Sequence, residues 1–439
     1  MTTQTVKDTI HRRRGWIDQG WEKQGSFDEP RLSDVVEAYR EMGFEVLLEA
    51  YDPALDAEDC GCSVCMSGSA ERFRTVFIKR RQTMKMISWQ FVEPKKPLQR
   101  VECDPPEPGP GEVRLRVAGC GVCHTDLGYY YDGVPMRSPL PMTLGHEISG
   151  IVEAAGSGAE SWMGKAVIVP AVMPCGTCDV CRRDFGNICP TQKMPGNDIQ
   201  GGFSTHIVVP CGQLCEVPLD ADGNPKGAGD IGLAELSVIA DAVTTPYQAI
   251  VESGLGPEDT AIFIGVGGVG GFGAQIAKAM GAAVVAIDVD PAKLSAIAPY
   301  VDVTFNSREL AFKELRKSVS DFVKASGRRR TEWKIFETSG TAAGQKTAYG
   351  LLVHGGYLAV VGFTLDMVEI RLSNLMAFHA TARGNWGCVP KHYPAVVELA
   401  LSGKIQLKPF VKTFPLDQIN DVFDMAHHRK ILERPIMVP

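Results

Sequence analysis

No run of uncharged apolar residues in the 439-residue chain is long enough to cross a bilayer, so no membrane span is expected. Excess positive charge is also missing. The formal net charge is −7, which implies no broad basic face for nucleic acid. The opening MTTQTVKDTIHRRRGW has basic residues but no apolar segment behind them, so it does not read as a signal peptide. Internal repeats and low-complexity tracts are absent, and no repeat array is expected. An even cysteine count is lacking as well: thirteen cysteines argue against a simple disulfide framework. Most of them sit in tight clusters, which in a cytoplasmic protein reads as metal binding. The expected compartment is therefore cytoplasmic. Charged residues at 22% and hydrophobic ones at 44% are the balance of an ordinary globular protein with room for two or three domains.

Three textures follow one another. Residues 1–83 read as a small α+β extension. Within it, Arg31–Met42 reads as an amphipathic helix capped by Ser33, with Leu32, Val35, Val36 and Tyr39 on one face and Gly43 ending it. Phe44–Glu49 and Phe73–Lys79 read as strands. Residues 84–245 are rich in short strand signals broken by Gly and Pro (EVRLRVAGCG, HEISGIVEA, KAVIVP, STHIVVP), the pattern of a β-rich domain with long loops. Residues 246–385 alternate strands with helices, which predicts a doubly wound parallel sheet. Residues 386–439 include a helix ending at Gly403 and are expected to pack back onto the β-rich domain.

Cys175-x2-Cys178-x2-Cys181-x7-Cys189 places four thiols within fifteen residues. Four thiolates satisfy tetrahedral zinc and close it to water and substrate, so this site should be structural. A second, open site is expected to use Cys123, at the end of a strand, and His146. It needs a third ligand that these two motifs do not name.

The apolar strand Thr260–Ile264 runs straight into Gly265-Val266-Gly267-Gly268-Val269-Gly270, which opens a helix. Between a strand and a helix, this glycine pattern reads as a dinucleotide site, with the pyrophosphate on the helix N-terminus. The next strand ends in Asp288, 18 residues past Gly270. A carboxylate there accepts from both ribose hydroxyls and repels a 2′-phosphate, so NAD is preferred over NADP.

GVCHTD, then GHE, then the four-cysteine ladder, then the glycine motif resemble in order and spacing the zinc-containing medium-chain alcohol dehydrogenases, over residues from about 84 to 439. The resemblance implies a GroES-like β-rich catalytic domain (84–245 with 386–439) carrying two zincs, and a Rossmann domain (246–385) carrying NAD. It implies Cys123 and His146 as catalytic-zinc ligands. Many members have a cysteine as third ligand; Asp241 stands at that position here. Asp241 is expected to complete the site, with Glu147 as the alternative and Asp241 then behind it. Further implied roles are Thr125 for the alcohol proton, Asp126 orienting His146, and Thr245 touching the cofactor. His124 falls at a pyrophosphate position and Lys293 near the adenosine ribose. Each also reads as an ordinary loop or helix side chain.

A narrower set of strings, including CGVCHTDLGYYYDGVP and ADAVTTPYQA, resembles the branch of the family that oxidises 6-hydroxycyclohex-1-ene-1-carbonyl-CoA in anaerobic benzoyl-CoA degradation. It implies a cyclic allylic alcohol carrying a CoA thioester, with Tyr129, Tyr130 and Tyr131 as walls of a ring site or plain packing. A simpler alcohol or polyol is the alternative within the enzyme class. A noncatalytic member keeping only the closed zinc is the alternative outside it, but that predicts loss of Cys123, His146 or the glycines. By analogy the chain is a homo-oligomer, a dimer or tetramer. Cys60-x-Cys62-x2-Cys65 in the extension reads as an incomplete or shared metal site, a redox-sensitive loop, or chance. The extension itself could dock a partner.

Overall fold

The computed structural model describes residues 3–56, 70–80, 85–227 and 229–439. Cys60, Cys62 and Cys65 lie outside them. The chain forms two compact units, Met1–Met84 and Lys85–Pro439.

In the first unit a helix at Thr3–Asp18 precedes β1 (Glu22–Phe27), and neither was evident from periodicity. A helix at Arg31–Glu41, β2 (Phe44–Ala50) and β3 (Arg74–Arg80) follow, in an antiparallel sheet of order β1-β3-β2. Leu32 and Val36 pack with Val76 and Ile78, and Gly43 leaves the helix at a φ of 82°. The cap differs from expectation. Pro30 occupies the N-cap, and Ser33 lies inside the first turn with its hydroxyl on Glu29. The Ser33 amide, one of the free donors of the first turn, is met by Glu29 Oε2 at 3.3 Å instead of by a serine cap.

Beneath β3, the fully buried Asp56 accepts from Arg13 (2.6 and 3.1 Å) and Thr75 (2.9 Å) and pairs with Lys23 (2.7 Å). Burial opposes its charge, but Arg13 and Lys23 prevail and hold Asp56 down at about 2. A carboxylate with a depressed folded pKa stabilises above its unfolded value and loses that contribution as pH falls. The first unit should therefore lose stability between about pH 4 and pH 2. An acid titration followed by near-ultraviolet dichroism checks this, and the Asp56→Asn variant should lack that transition.

The second unit begins with β4 (Met86–Phe91), β5 (Gln99–Cys103), β6 (Glu112–Gly121), β7 (Met142–Thr143), β8 (Glu147–Ala155), β9 (Ala166–Val169), β10 (His206–Pro210) and β11 (Cys215–Glu216). On β6, Val113, Leu115 and Val117 alternate into the core while Arg114 and Arg116 face away. Such alternation makes a half-buried strand.

Parallel strands β12 (Thr260–Ile264), β13 (Ala283–Asp288), β14 (Val303–Asn306), β15 (Lys334–Glu337), β16 (Tyr357–Val360) and β17 (Thr381–Gly384) follow in the order β14-β13-β12-β15-β16-β17. That is the doubly wound order, whose crevice opens between β12 and β15 at their carboxyl ends. The central strand β12 is wholly buried, as a sheet covered on both faces requires. Finally β18 (Val411–Pro415) and β19 (Arg434–Val438) return to the β-rich region, where β19 pairs with β6 in a sheet of order β11-β9-β8-β6-β19-β18.

Candidate metal centres and nucleotide cleft

The register of β6 on β8 builds the first site. Gly121 at the end of β6 lies opposite Glu147 at the start of β8. Cys123 and His146, just beyond those ends, are thereby brought to one place. A side chain at 121 is impossible: its Cβ would lie 2.1 Å from Glu147 Oε2. The helical turn Glu235–Ala240 packs on both strands and delivers Asp241.

Asp241 Oδ2 lies 3.7 Å from Cys123 Sγ and 3.6 Å from His146 Nε2. Asp241 Oδ1 accepts from the Thr245 hydroxyl at 2.5 Å. Burial works against its charge, but His146 and Thr245 prevail and hold Asp241 at about 2, so it is ionised. Neither ring nitrogen of the buried His146 has a hydrogen-bond partner among the described residues. An orphaned imidazole between a thiol and a carboxylate is what a metal ion satisfies, and this donor set suits zinc.

Asp126 is fully buried and ties the two ligand loops together. It accepts from the Cys123 and Gly145 amides, each at 3.0 Å, and its Oδ1 lies 3.5 Å from His146 Nδ1. Thr125 Oγ1 stands 3.7 Å from Cys123 Sγ. Tyr129 is buried near His146, and loss of water pushes its phenol up to about 12. The other tyrosines part company with it. Tyr130 packs against Phe91 and Phe423, while Tyr131 stacks on His427 at 3.7 Å.

Glu147 lies within reach of the same cluster, but its oxygens are committed. Arg434 donates to both of them (2.7 and 2.5 Å), and the Ala242 amide donates to Oε1 at 3.0 Å. Glu147 is the main partner of the guanidinium, with Cys123 and Asp241 adding to its hold. Both Glu147 oxygens thus already accept hydrogen bonds, whereas Asp241 Oδ2 faces Cys123 and His146. The sequence reading missed Arg434, which β19 carries in from 287 positions away.

The four ladder cysteines converge. Their sulfurs are 3.3 Å apart for Cys178 and Cys181, 3.6 Å for Cys175 and Cys189, 3.7 Å for Cys178 and Cys189, and 3.9 Å for Cys175 and Cys181. All four are free thiols, so disulfide pairing is not what gathers them. A zinc–sulfur tetrahedron with bonds of about 2.3 Å has edges of about 3.8 Å, which these spacings match. The Thr177 amide leads the donors that pull Cys175 down to about 5, favouring thiolate.

The glycine turn after β12 is tightly packed. A Cβ on Gly270 would lie 1.9 Å from the Gly265 carbonyl oxygen. Gly267 and Gly268 face the cleft instead, with Lys293 Nζ 3.6 Å and Arg434 Nη1 2.8 Å from where their Cβ atoms would be. Asp288 is buried at the end of β13 and accepts from the amides of Val266 (2.8 Å), Val289 (2.7 Å) and Asp290 (3.0 Å). Those bonds fix both of its oxygens at the end of β13. Loss of water, then the cations Arg434, Arg429, Lys293 and His427, lowers His124 to about 4.

Residues 109–219 match the alcohol dehydrogenase GroES-like domain family, and residues 268–402 match the zinc-binding dehydrogenase family. An alcohol dehydrogenase of Geobacillus stearothermophilus is 30% identical over 348 residues, covering 78% of this chain and 96% of that protein. An L-threonine 3-dehydrogenase of Pyrococcus abyssi is 28% identical over 358 residues, covering 79% and 97%. The fold is similar to that of an alcohol dehydrogenase from Thermotoga maritima, with a TM-score of 0.72 and 24% identity, covering 81% of this chain and all of the other. Fold, metal-ligand clusters and relatives agree: the chain belongs to the zinc-containing medium-chain alcohol dehydrogenase family.

Proposed function

We propose that this NAD-linked alcohol dehydrogenase oxidises a cyclic secondary allylic alcohol carried as a CoA thioester, 6-hydroxycyclohex-1-ene-1-carbonyl-CoA, to its 6-oxo product. The observation that carries the chemistry is the Cys123–His146–Asp241 triangle around an orphaned imidazole. Those three residues would hold the catalytic zinc, and Cys175, Cys178, Cys181 and Cys189 a second, structural one. Zinc in an open three-ligand site supplies Lewis acidity that lowers the pKa of the substrate hydroxyl. The Gly265–Gly270 cleft would hold NAD, which would supply the hydride acceptor for the carbinol carbon.

The chain's own groups do the rest. Thr125 takes the hydroxyl proton and relays it outward. Asp126, 3.5 Å from Nδ1, would orient the His146 ring, and Thr245 holds Asp241 through Oδ1 so that Oδ2 faces the other two residues. Asp288 and Lys293 would meet the adenosine ribose, while His124 and the Gly265–Gly270 turn would meet the phosphate side of the cofactor. Tyr129 gives the substrate ring an apolar wall. The tyrosine-rich string after Thr125 favours the CoA-linked cyclic alcohol over a simple one. Assays of NAD reduction with the thioester and with simple cyclic alcohols separate the two; faster turnover of the simple alcohols would reject the thioester.

Replacing Cys178 with serine should remove one zinc per chain and lower thermal stability, with dehydrogenase activity surviving at low temperature. Metal analysis and a thermal melt check this.

The outer strand β17 is exposed along its length, and in the segment leading to it Phe363, Leu365, Met367, Leu372 and Met376 are each more than half exposed. An open strand edge flanked by apolar side chains is a pairing surface. We place the homo-oligomer contact there. Leu372→Asp should shift the protein to monomers in sedimentation, and an unchanged oligomer would place the contact elsewhere.

A further inference from the structure

Asp241 stands at the break between the helical turn Glu235–Ala240 and the helix Thr244–Glu252. The direction of its carboxylate therefore depends on what holds the chain on either side of it. One strap, residues 385–393, leaves β17 and grips both sides.

On the first side, the carbonyl of Ala240 accepts from the Tyr393 hydroxyl at 2.5 Å. The same hydroxyl accepts from the Ala171 amide at 3.2 Å, so it works as donor and acceptor at once. On the second side, Asn385 Nδ2 donates to the Thr245 carbonyl at 3.2 Å. Thr245 in turn holds Asp241 Oδ1 through its hydroxyl. The two grips thus close on the residue before Asp241 and on the residue that bonds its side chain.

The strap is itself pinned. Gly387 has a φ of 52°, and a Cβ there would lie 2.8 Å from Val172 Cγ2, so only glycine lets the strap press this closely. The Val389 amide donates to Gln248 Oε1 at 2.7 Å, and the Trp386 carbonyl accepts from Asn187 at 3.1 Å. Tyr393 is wholly buried. Phenylalanine would fill the same space with no polar atom to satisfy, so packing alone does not call for a hydroxyl here. What the hydroxyl adds is a hold on the peptide next to Asp241.

We propose that Tyr393 and Asn385 are positioning residues that aim the Asp241 carboxylate at Cys123 and His146. They act through the peptides they hold. This rests on the reading of Asp241 as the third zinc ligand. Groups that orient a metal ligand are worth about ten- to a hundredfold in metal affinity or activity.

Tyr393→Phe is the sharp test. The Ala240 carbonyl keeps the Thr244 hydroxyl (3.3 Å) and the Ala171 amide (3.4 Å), so the variant should fold. Zinc affinity is measured by chelator competition on the intact protein, with the ladder zinc as internal reference, and NAD binding by calorimetry. Tyr393→Phe should weaken the open-site zinc by about tenfold or more, while ladder zinc and NAD affinity change by less than about twofold. Asn385→Ala, at a half-buried position, should act in the same direction. A lower melting temperature with unchanged open-site zinc affinity overturns the proposal, since the hydroxyl would then serve stability alone. Equal weakening of both zincs also overturns it. Asp241→Ala separates the two readings. If it keeps the open-site zinc, the ligand assignment fails and the proposal with it. If it loses that zinc while Tyr393→Phe binds it like wild type, the ligand stands and the strap fails.

Discussion

Asp241→Ala is expected to lower kcat/KM by roughly a thousandfold or more, because it removes the third ligand and with it the metal's several kcal/mol of transition-state stabilisation. Zinc content should fall by one per chain, with the cysteine ladder keeping its own. The argument is geometric. Oδ2 completes a triangle with Cys123 and His146, and Oδ1 is held away from it by Thr245. Asp241→Asn keeps the shape and loses the charge, and should lose most of the activity. Asp241→Cys restores the commoner thiolate and should recover zinc and much of the turnover. An Asp241→Ala protein with both zincs and normal kinetics would remove Asp241 from the ligand set.

Arg434→Ala should destabilise the second unit by about 3–5 kcal/mol, the cost of leaving a buried carboxylate without its partner. Glu147 and Arg434 are both buried, and their contact is two-pronged. Urea denaturation measures the loss. Pairing Arg434→Ala with Glu147→Gln should recover part of it, because the stranded charge is gone. Loss of NAD affinity should accompany Arg434→Ala, since the guanidinium also borders Gly268. A variant as stable as wild type would mean that water reaches Glu147.

The features legible in the sequence were those whose parts lie close along the chain. The ladder spans fifteen residues, and the glycine turn is bounded by its own strand and helix, so local spacing carries both. Asp241 could be placed only through resemblance, because 118 residues separate it from Cys123. Glu147 illustrates the limit. Next to His146 it reads as a second ligand candidate, and only the return of β19 reveals the arginine that claims it. Thr245 reads as a cofactor contact, and the structure adds that its hydroxyl donates to Asp241. A side chain four residues away on a turn leaves no periodic signal. In the first unit, the helix Thr3–Asp18 carries a run of polar residues that blurs its apolar stripe, and Ser33 mimicked a cap whose position Pro30 holds while Glu29 meets the free amide.

Zinc absorption spectroscopy on the intact protein, with total metal measured on the same sample, tests the central claim directly. A closed four-sulfur site together with an open site of one sulfur, one imidazole and oxygen donors averages about 2.5 sulfurs per zinc at two zincs per chain. That average at that stoichiometry is the predicted result. One zinc per chain with four sulfurs around it would contradict the account, since Cys123, His146 and Asp241 would then hold no metal.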